Sequence, residues 1–86
     1  MIRYGIRMKR VHSTYDTNTE KFVKDSVEDE YQWIASGIGR SYKIEEAYIY
    51  TKKELADKKT KEFIKYPQWY ADVEVVEFEV SLVTRD

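Results

Sequence analysis

The chain opens on an alternation. Ile2, Tyr4, Ile6 and Met8 are apolar, and Arg3, Gly5, Arg7 and Lys9 between them are charged or lack a side chain. Successive side chains of a strand point to opposite faces, so this period of two predicts a strand over residues 2–12 with one buried and one wet face. Asp16-Thr17-Asn18-Thr19 supplies side chains that hydrogen-bond their own backbone, which predicts a turn into Lys21-Phe22-Val23 and a hairpin. Asp25 to Glu30, broken only by Ser26 and Val27, reads as a solvated acidic loop. Tyr31-Gln32-Trp33-Ile34-Ala35 reads as a strand from its aromatic and β-branched content.

Further along, the glycines of Gly37-Ile38-Gly39-Arg40-Ser41 predict a turn, Ile44-Glu45-Glu46-Ala47 one helical turn, and Tyr48-Ile49-Tyr50 a short strand. Thr51 followed by Glu54 has the spacing of a capping box, so a helix is expected to start there and to run to residue 65, with Pro67 stopping it. Its apolar stripe is thin: Leu55 and Ala56 are separated from Phe63 and Ile64 by Lys59 and Thr60. The helix is therefore expected to pack on the sheet by its two ends. From Val73 to Val83 a last strand is predicted, with Val76, Phe78, Val80 and Leu82 on one face. Val73 and Val75 fall on the opposite phase, which predicts a β-bulge between Val75 and Val76.

These elements assemble into one α+β domain over residues 1–86: a four- to five-stranded, mostly antiparallel sheet with one main helix packed on one face, in β-β-β-β-α-β order. Arg3, Arg7 and Lys9 on one wet face complement Glu77 and Glu79 on the other, so the first and last strands are expected to be neighbours. One helix covers one face only. The other face is expected to be partly open, with Tyr48 and Tyr50 directed toward it if Ala47 and Ile49 face the helix, and Trp33 with them if Ile34 faces the core; in the opposite phase Tyr48 and Tyr50 are core residues and Ile49 is exposed.

Composition narrows the class. A chain of 86 residues supports one modest core, and 42% hydrophobic with 36% charged residues is a globular rather than a disordered balance. The absence of cysteine excludes disulfides, thiolate metal sites and thiol nucleophiles, and fits a reducing compartment. The alternating N-terminus contains neither a signal-peptide segment nor a membrane span, so a soluble cytoplasmic chain is expected. A net charge of −1 argues against a protein whose main task is neutralising phosphates, although local patches of either sign remain available.

No catalytic, cofactor or metal set is expected. His12 has no serine or cysteine partner at a recognised spacing and reads as an ordinary strand or loop histidine. Asp25, Glu28, Asp29 and Glu30 lack the alternating ligand spacing and turn glycine of a calcium loop. The glycines before Arg40 resemble a phosphate cradle, but lack both the third glycine of the dinucleotide fingerprint and the lysine of the P-loop. Two binding patterns carry more weight. The helix bears Lys52, Lys53, Lys58, Lys59, Lys61 and Lys65, a possible grip on nucleic acid, with Glu54, Asp57 and Glu62 interspersed. The aromatic surplus, eight Tyr, three Phe and two Trp, is more than a domain this small is expected to bury. Trp33, Tyr48, Tyr50, Trp69 and Tyr70 are the candidate partner-binding residues, because such side chains give large rigid contact area with a polar tip.

The order of strand, glycine turn, Ile44-Glu45-Glu46-Ala47, short aromatic strand, Thr51-Lys52-Lys53-Glu54 opening a helix, then Val75-Val76-Glu77-Phe78-Glu79-Val80, resembles small uncharacterised accessory proteins of staphylococcal phages and prophages. It covers about two thirds of the chain, and its motifs are structural. The resemblance implies a non-enzymatic protein–protein interaction module in the cytoplasm of the host bacterial cell, binding a host or phage protein, with a homodimer also compatible. It transfers no functional residue. The rival reading is a nucleic-acid-binding accessory protein that uses the lysine-rich helix, residues 52–65.

Overall fold

A computed structural model describes residues 1–36 and 39–79. Along the chain it comprises β1 (Ile2–Asp16), β2 (Lys21–Ile34), β3 (Arg40–Ser41), a 3-10 turn (Ile44–Glu46), α1 (Lys53–Ile64) and β4 (Tyr70–Glu79). The strands form one curled sheet in the order β3-β2-β1-β4, and every pairing is antiparallel. The α+β class therefore holds, with four strands in β-β-β-α-β order. Gly37 and Ile38 of the predicted turn, and Val80 to Val83 of the predicted last strand, lie outside the described residues.

The expected strand Tyr48–Tyr50 is instead an extended segment held by single bridges, Ala35 to Ala47 and Tyr4 to Tyr50. The cause is a gap in the sheet. The ladder between β1 and β2 begins only at Arg7 and Trp33, so Tyr4 still has a free side. Tyr50 fills it: the Tyr4 N–H donates to the Tyr50 carbonyl at 3.0 Å, and the Tyr50 N–H returns the bond at 2.7 Å.

The hairpin forms where the turn chemistry places it. Asp16 Oδ1 accepts the Asn18 N–H at 2.9 Å, and Glu20 closes the turn at φ 56°. Both strands run further than their patterns indicate, and Asp25 to Glu30 lie within β2 rather than in a loop. β3 covers only Trp33 and Ile34, which leaves the rest of β2 as an outer edge. Charges there stay solvated and oppose edge-to-edge pairing with another chain.

The core lies between the sheet and α1. It is built from Ile6, Met8, Ile34 and Ala56, with Tyr4, Tyr50, Phe63, Tyr70, Val73 and Val75 packed around them. The capping box is not made: α1 starts at Lys53, and its N-cap, Lys52, forms no side-chain cap bond. Nor does the helix dock by its ends. Leu55 and Ile64 are 50% and 60% exposed. The stripe that meets the sheet is Ala56, Thr60 and Phe63, at i, i+4 and i+7. Thr60 can sit in it because its hydroxyl donates to the Asp57 carbonyl at 2.7 Å.

β1 and β4 are neighbours, as the charges predict, but different residues meet. Arg3 faces Phe78, Gly5 faces Val76 and Arg7 faces Glu74, whereas Glu77 and Glu79 face Tyr4 and Ile2 on the helix side. Arg7 pairs with Glu74, and Lys9 Nζ lies 3.7 Å from Asp72. The register shift falls opposite Arg7 to Lys9, where Asp72 takes φ 50°, and not between Val75 and Val76. Both faces of β4 are thus apolar for different reasons. Val73 and Val75 join the core under α1. Phe78 and Trp33 meet over Gly5 on the face away from the helix, where a Cβ on Gly5 would stand 3.1 Å and 3.4 Å from them.

Candidate functional site

Pairing with β4 ends at Arg10, so the rest of β1 and its β2 partner project as a two-stranded arm. This explains a radius of gyration of 15.5 Å, where a compact chain of this length would have roughly 12 Å. A two-stranded ribbon alone is marginal in water. Here the connection after α1 props its base. Tyr66 N–H bonds the Phe63 carbonyl and Trp69 N–H the Tyr66 carbonyl, both at 3.0 Å, which turns the chain back toward the arm. The Val11 N–H then donates to the Trp69 carbonyl at 3.0 Å, and Ser13 Oγ to the Gln68 carbonyl at 2.8 Å.

That docking builds a run of aromatic rings. Tyr15 and Phe22, cross-strand partners, meet edge to face at 5.2 Å, and Phe22 meets Trp69 at 5.0 Å. All three stay at the surface, with 50%, 43% and 41% of their area exposed. A shallow cleft lies on either side of the Phe22–Trp69 contact. One, of about 350 Å³, is lined by Arg10, Val11, Arg40, Trp69 and Tyr70. The other, of about 450 Å³, is lined by Ser13, Lys21, Phe22, Lys24, Pro67 and Gln68. Arg40 reaches the first because the sheet curls: its guanidinium stands 5.2 Å over the Tyr70 ring, although β3 and β4 are opposite edges. Nearby, Glu28 accepts the Tyr42 hydroxyl at 2.6 Å and lies 3.5 Å from His12 Nε2. The carboxylate beside it raises the Tyr42 pKa, since the shared hydrogen bond needs the neutral phenol.

The five aromatic residues singled out from the sequence do not form one patch. Trp69 and Tyr70 line the same cleft. Tyr48 and Tyr50 meet edge to face at 4.8 Å and line another of about 280 Å³ with Ala35 and Lys59, on the helix side rather than on the open face. Tyr50 is half-buried against the core, and burial raises its pKa. Trp33 does point away from the helix, but it is buried, because Gly5 lets its ring lie down beside Phe78. Tyr15 and Phe22 were missed. Their signal is the turn itself, since a loop over 17–20 makes 15 and 22 partners.

The helix lysines are dispersed. Lys59 pairs with Glu62 at 2.9 Å, which raises the lysine pKa and lowers that of the glutamate. Lys58, Lys61 and Lys65 share the solvent side of α1, at i, i+3 and i+7, and Lys52 and Lys53 sit at its start. Among the described residues, no group of three or more His, Asp or Glu side chains is placed to hold a metal ion, and no helix is long and apolar enough to cross a membrane. No family model, no curated protein and no solved structure matches the chain at a significant level.

Proposed function

We propose that this chain is a non-enzymatic protein-interaction module that seats its partner on the Tyr15–Phe22–Trp69 surface. The observation that carries this reading is the exposure of three large rings in continuous contact on a braced arm. Rings held by their neighbours lose little freedom on binding, and Trp and Tyr are the side chains in which binding energy concentrates. An accessory role in a phage-infected or lysogenic staphylococcal cell, with a host or phage protein as partner, fits the resemblance of the sequence. The nucleic-acid reading of the helix is weaker, because Glu54, Asp57 and Glu62 are interspersed among its lysines and Lys59 is already paired with Glu62.

The test is affinity capture from staphylococcal lysate, comparing the unmodified chain with the Phe22→Ala/Trp69→Ala variant. A partner retained by the first and lost by the second, with unchanged circular dichroism, is the expected result. Retention of the same partner by the folded variant overturns the reading.

A further inference from the structure

The charges around the aromatic surface specify more than a sticky patch. Arg10 and Arg40 line one cleft, Lys21 and Lys24 the other, and neither cleft has an acidic residue in its wall. None of these four cations forms an ion pair among the described residues, a state they share with most of the chain's other cations, and what distinguishes them is that they are gathered in clefts without a carboxylate. The whole chain carries a net charge of −1, so two clefts lined by cations without a carboxylate are a local arrangement and not the overspill of a basic protein. They also come from separate elements, β1, β2 and β3, which only the hairpin and the curl of the sheet bring around one aromatic contact.

On the basis of the interaction reading above, we infer that this surface recognises an extended acidic segment of a protein partner, one apolar side chain against Phe22 and Trp69 and carboxylates in the two flanking clefts. A guanidinium binds a carboxylate through paired hydrogen bonds, and complementary charge sets which segment is accepted and how fast it arrives. The rings argue against a single-stranded nucleic acid in the same place. Phe22 is met by Tyr15 on one side and Trp69 on the other, at interplanar angles of 67° and 62°, which gives no parallel platform for successive bases. Asp16, Glu20, Asp25 and Glu28 also lie along the arm, where they oppose a continuous polyanion but not a peptide with a few placed carboxylates.

The probe is a random peptide display library selected on the intact chain. The expected result is enrichment of Asp or Glu next to Leu, Phe, Trp or Tyr. A selected peptide, synthesised with a fluorescent label, should bind more weakly as salt rises and lose about tenfold or more in affinity with Lys21→Glu/Lys24→Glu and with Arg10→Glu. Circular dichroism verifies that these variants are folded, and Lys21→Gln/Lys24→Gln provides a milder change should reversal unfold the arm. Selection without acidic preference overturns the inference, as does an acidic peptide indifferent to the folded charge variants. So does a thymidine oligonucleotide that binds more tightly than the peptide and displaces it. None of these outcomes requires a captured lysate protein. Loss of a lysate partner on Phe22→Ala/Trp69→Ala together with no acidic preference would leave the interaction reading standing and remove this one.

Discussion

Gly5 is buried on β1 opposite Val76 of β4, and its missing Cβ is used by its neighbours. A methyl group there would stand 3.1 Å from Phe78 Cε1 and 3.4 Å from Trp33 Cζ3. The first distance is too short and the second is ordinary contact, so the consequence of Gly5→Ala rests on whether Phe78 yields. Two terms oppose each other. Alanine is favoured over glycine in a strand interior by roughly 0.5–1 kcal/mol, because it restricts the unfolded chain. Overpacking costs about 1–3 kcal/mol. Phe78 is half-buried near the end of β4, so its ring can shift, and the lower half of that range applies. The expected net effect of Gly5→Ala is a loss of about 1 kcal/mol. In a Phe78→Ala background the short contact is gone, and the same substitution should become stabilising by about 0.5 kcal/mol. Urea unfolding of the four proteins, followed by circular dichroism, closes the double-mutant cycle with an expected coupling of about 1.5 kcal/mol. Equal effects of Gly5→Ala in both backgrounds would refute the account of how Trp33 and Phe78 share this face.

Met8→Ala removes a fully buried side chain from the centre of the core, and should lower the urea midpoint by the equivalent of about 2–5 kcal/mol, a large part of the stability of a small domain. The pH dependence of Tyr42 follows from its bond to Glu28, which holds the folded phenol above its ordinary pKa. The bond's contribution is complete below the unfolded tyrosine pKa and is lost as pH rises through the raised folded value. An alkaline ultraviolet titration, differenced against Tyr42→Phe, should show ionisation at higher pH than for a free tyrosine, and Glu28→Gln should bring it back toward the ordinary value. A Tyr42 titration unaffected by Glu28→Gln would show that the hydrogen bond is absent.

What the sequence determined by itself is local. The alternation from Ile2 to Met8 specifies β1 and its buried face, because period two needs no partner to be read, and Ile6 and Met8 are indeed the buried residues. The Asp16–Asn18 turn follows from a side chain acting on its own backbone, and the helix before Pro67 from a run rich in Lys, Glu and Ala, which favour helix. Of the candidate site, Trp69 and Tyr70 were legible as aromatic content, and the Tyr15–Phe22 pair was implicit in the hairpin register. The rest was decided by contacts between residues far apart in the chain. Val76 and Phe78 alternate as a buried face should, yet Val73 and Val75 take the place under α1, because strand pairing and not apolar content selects the face turned to the helix. The run 25–30 is carried in β2 by the ladder partners of Ser26 and Val27, His12 and Val11, while its four acidic residues fall at the register shifts and are tolerated because that edge is wet. Thr51 and Glu54 have the capping spacing without the bond, since the chain entering α1 is held by the bridge between Tyr50 and Tyr4. Arg40 stands over Tyr70 only through the curl of the sheet, and a charge pattern assembled from opposite sheet edges leaves no periodic trace in the sequence for any local rule to find.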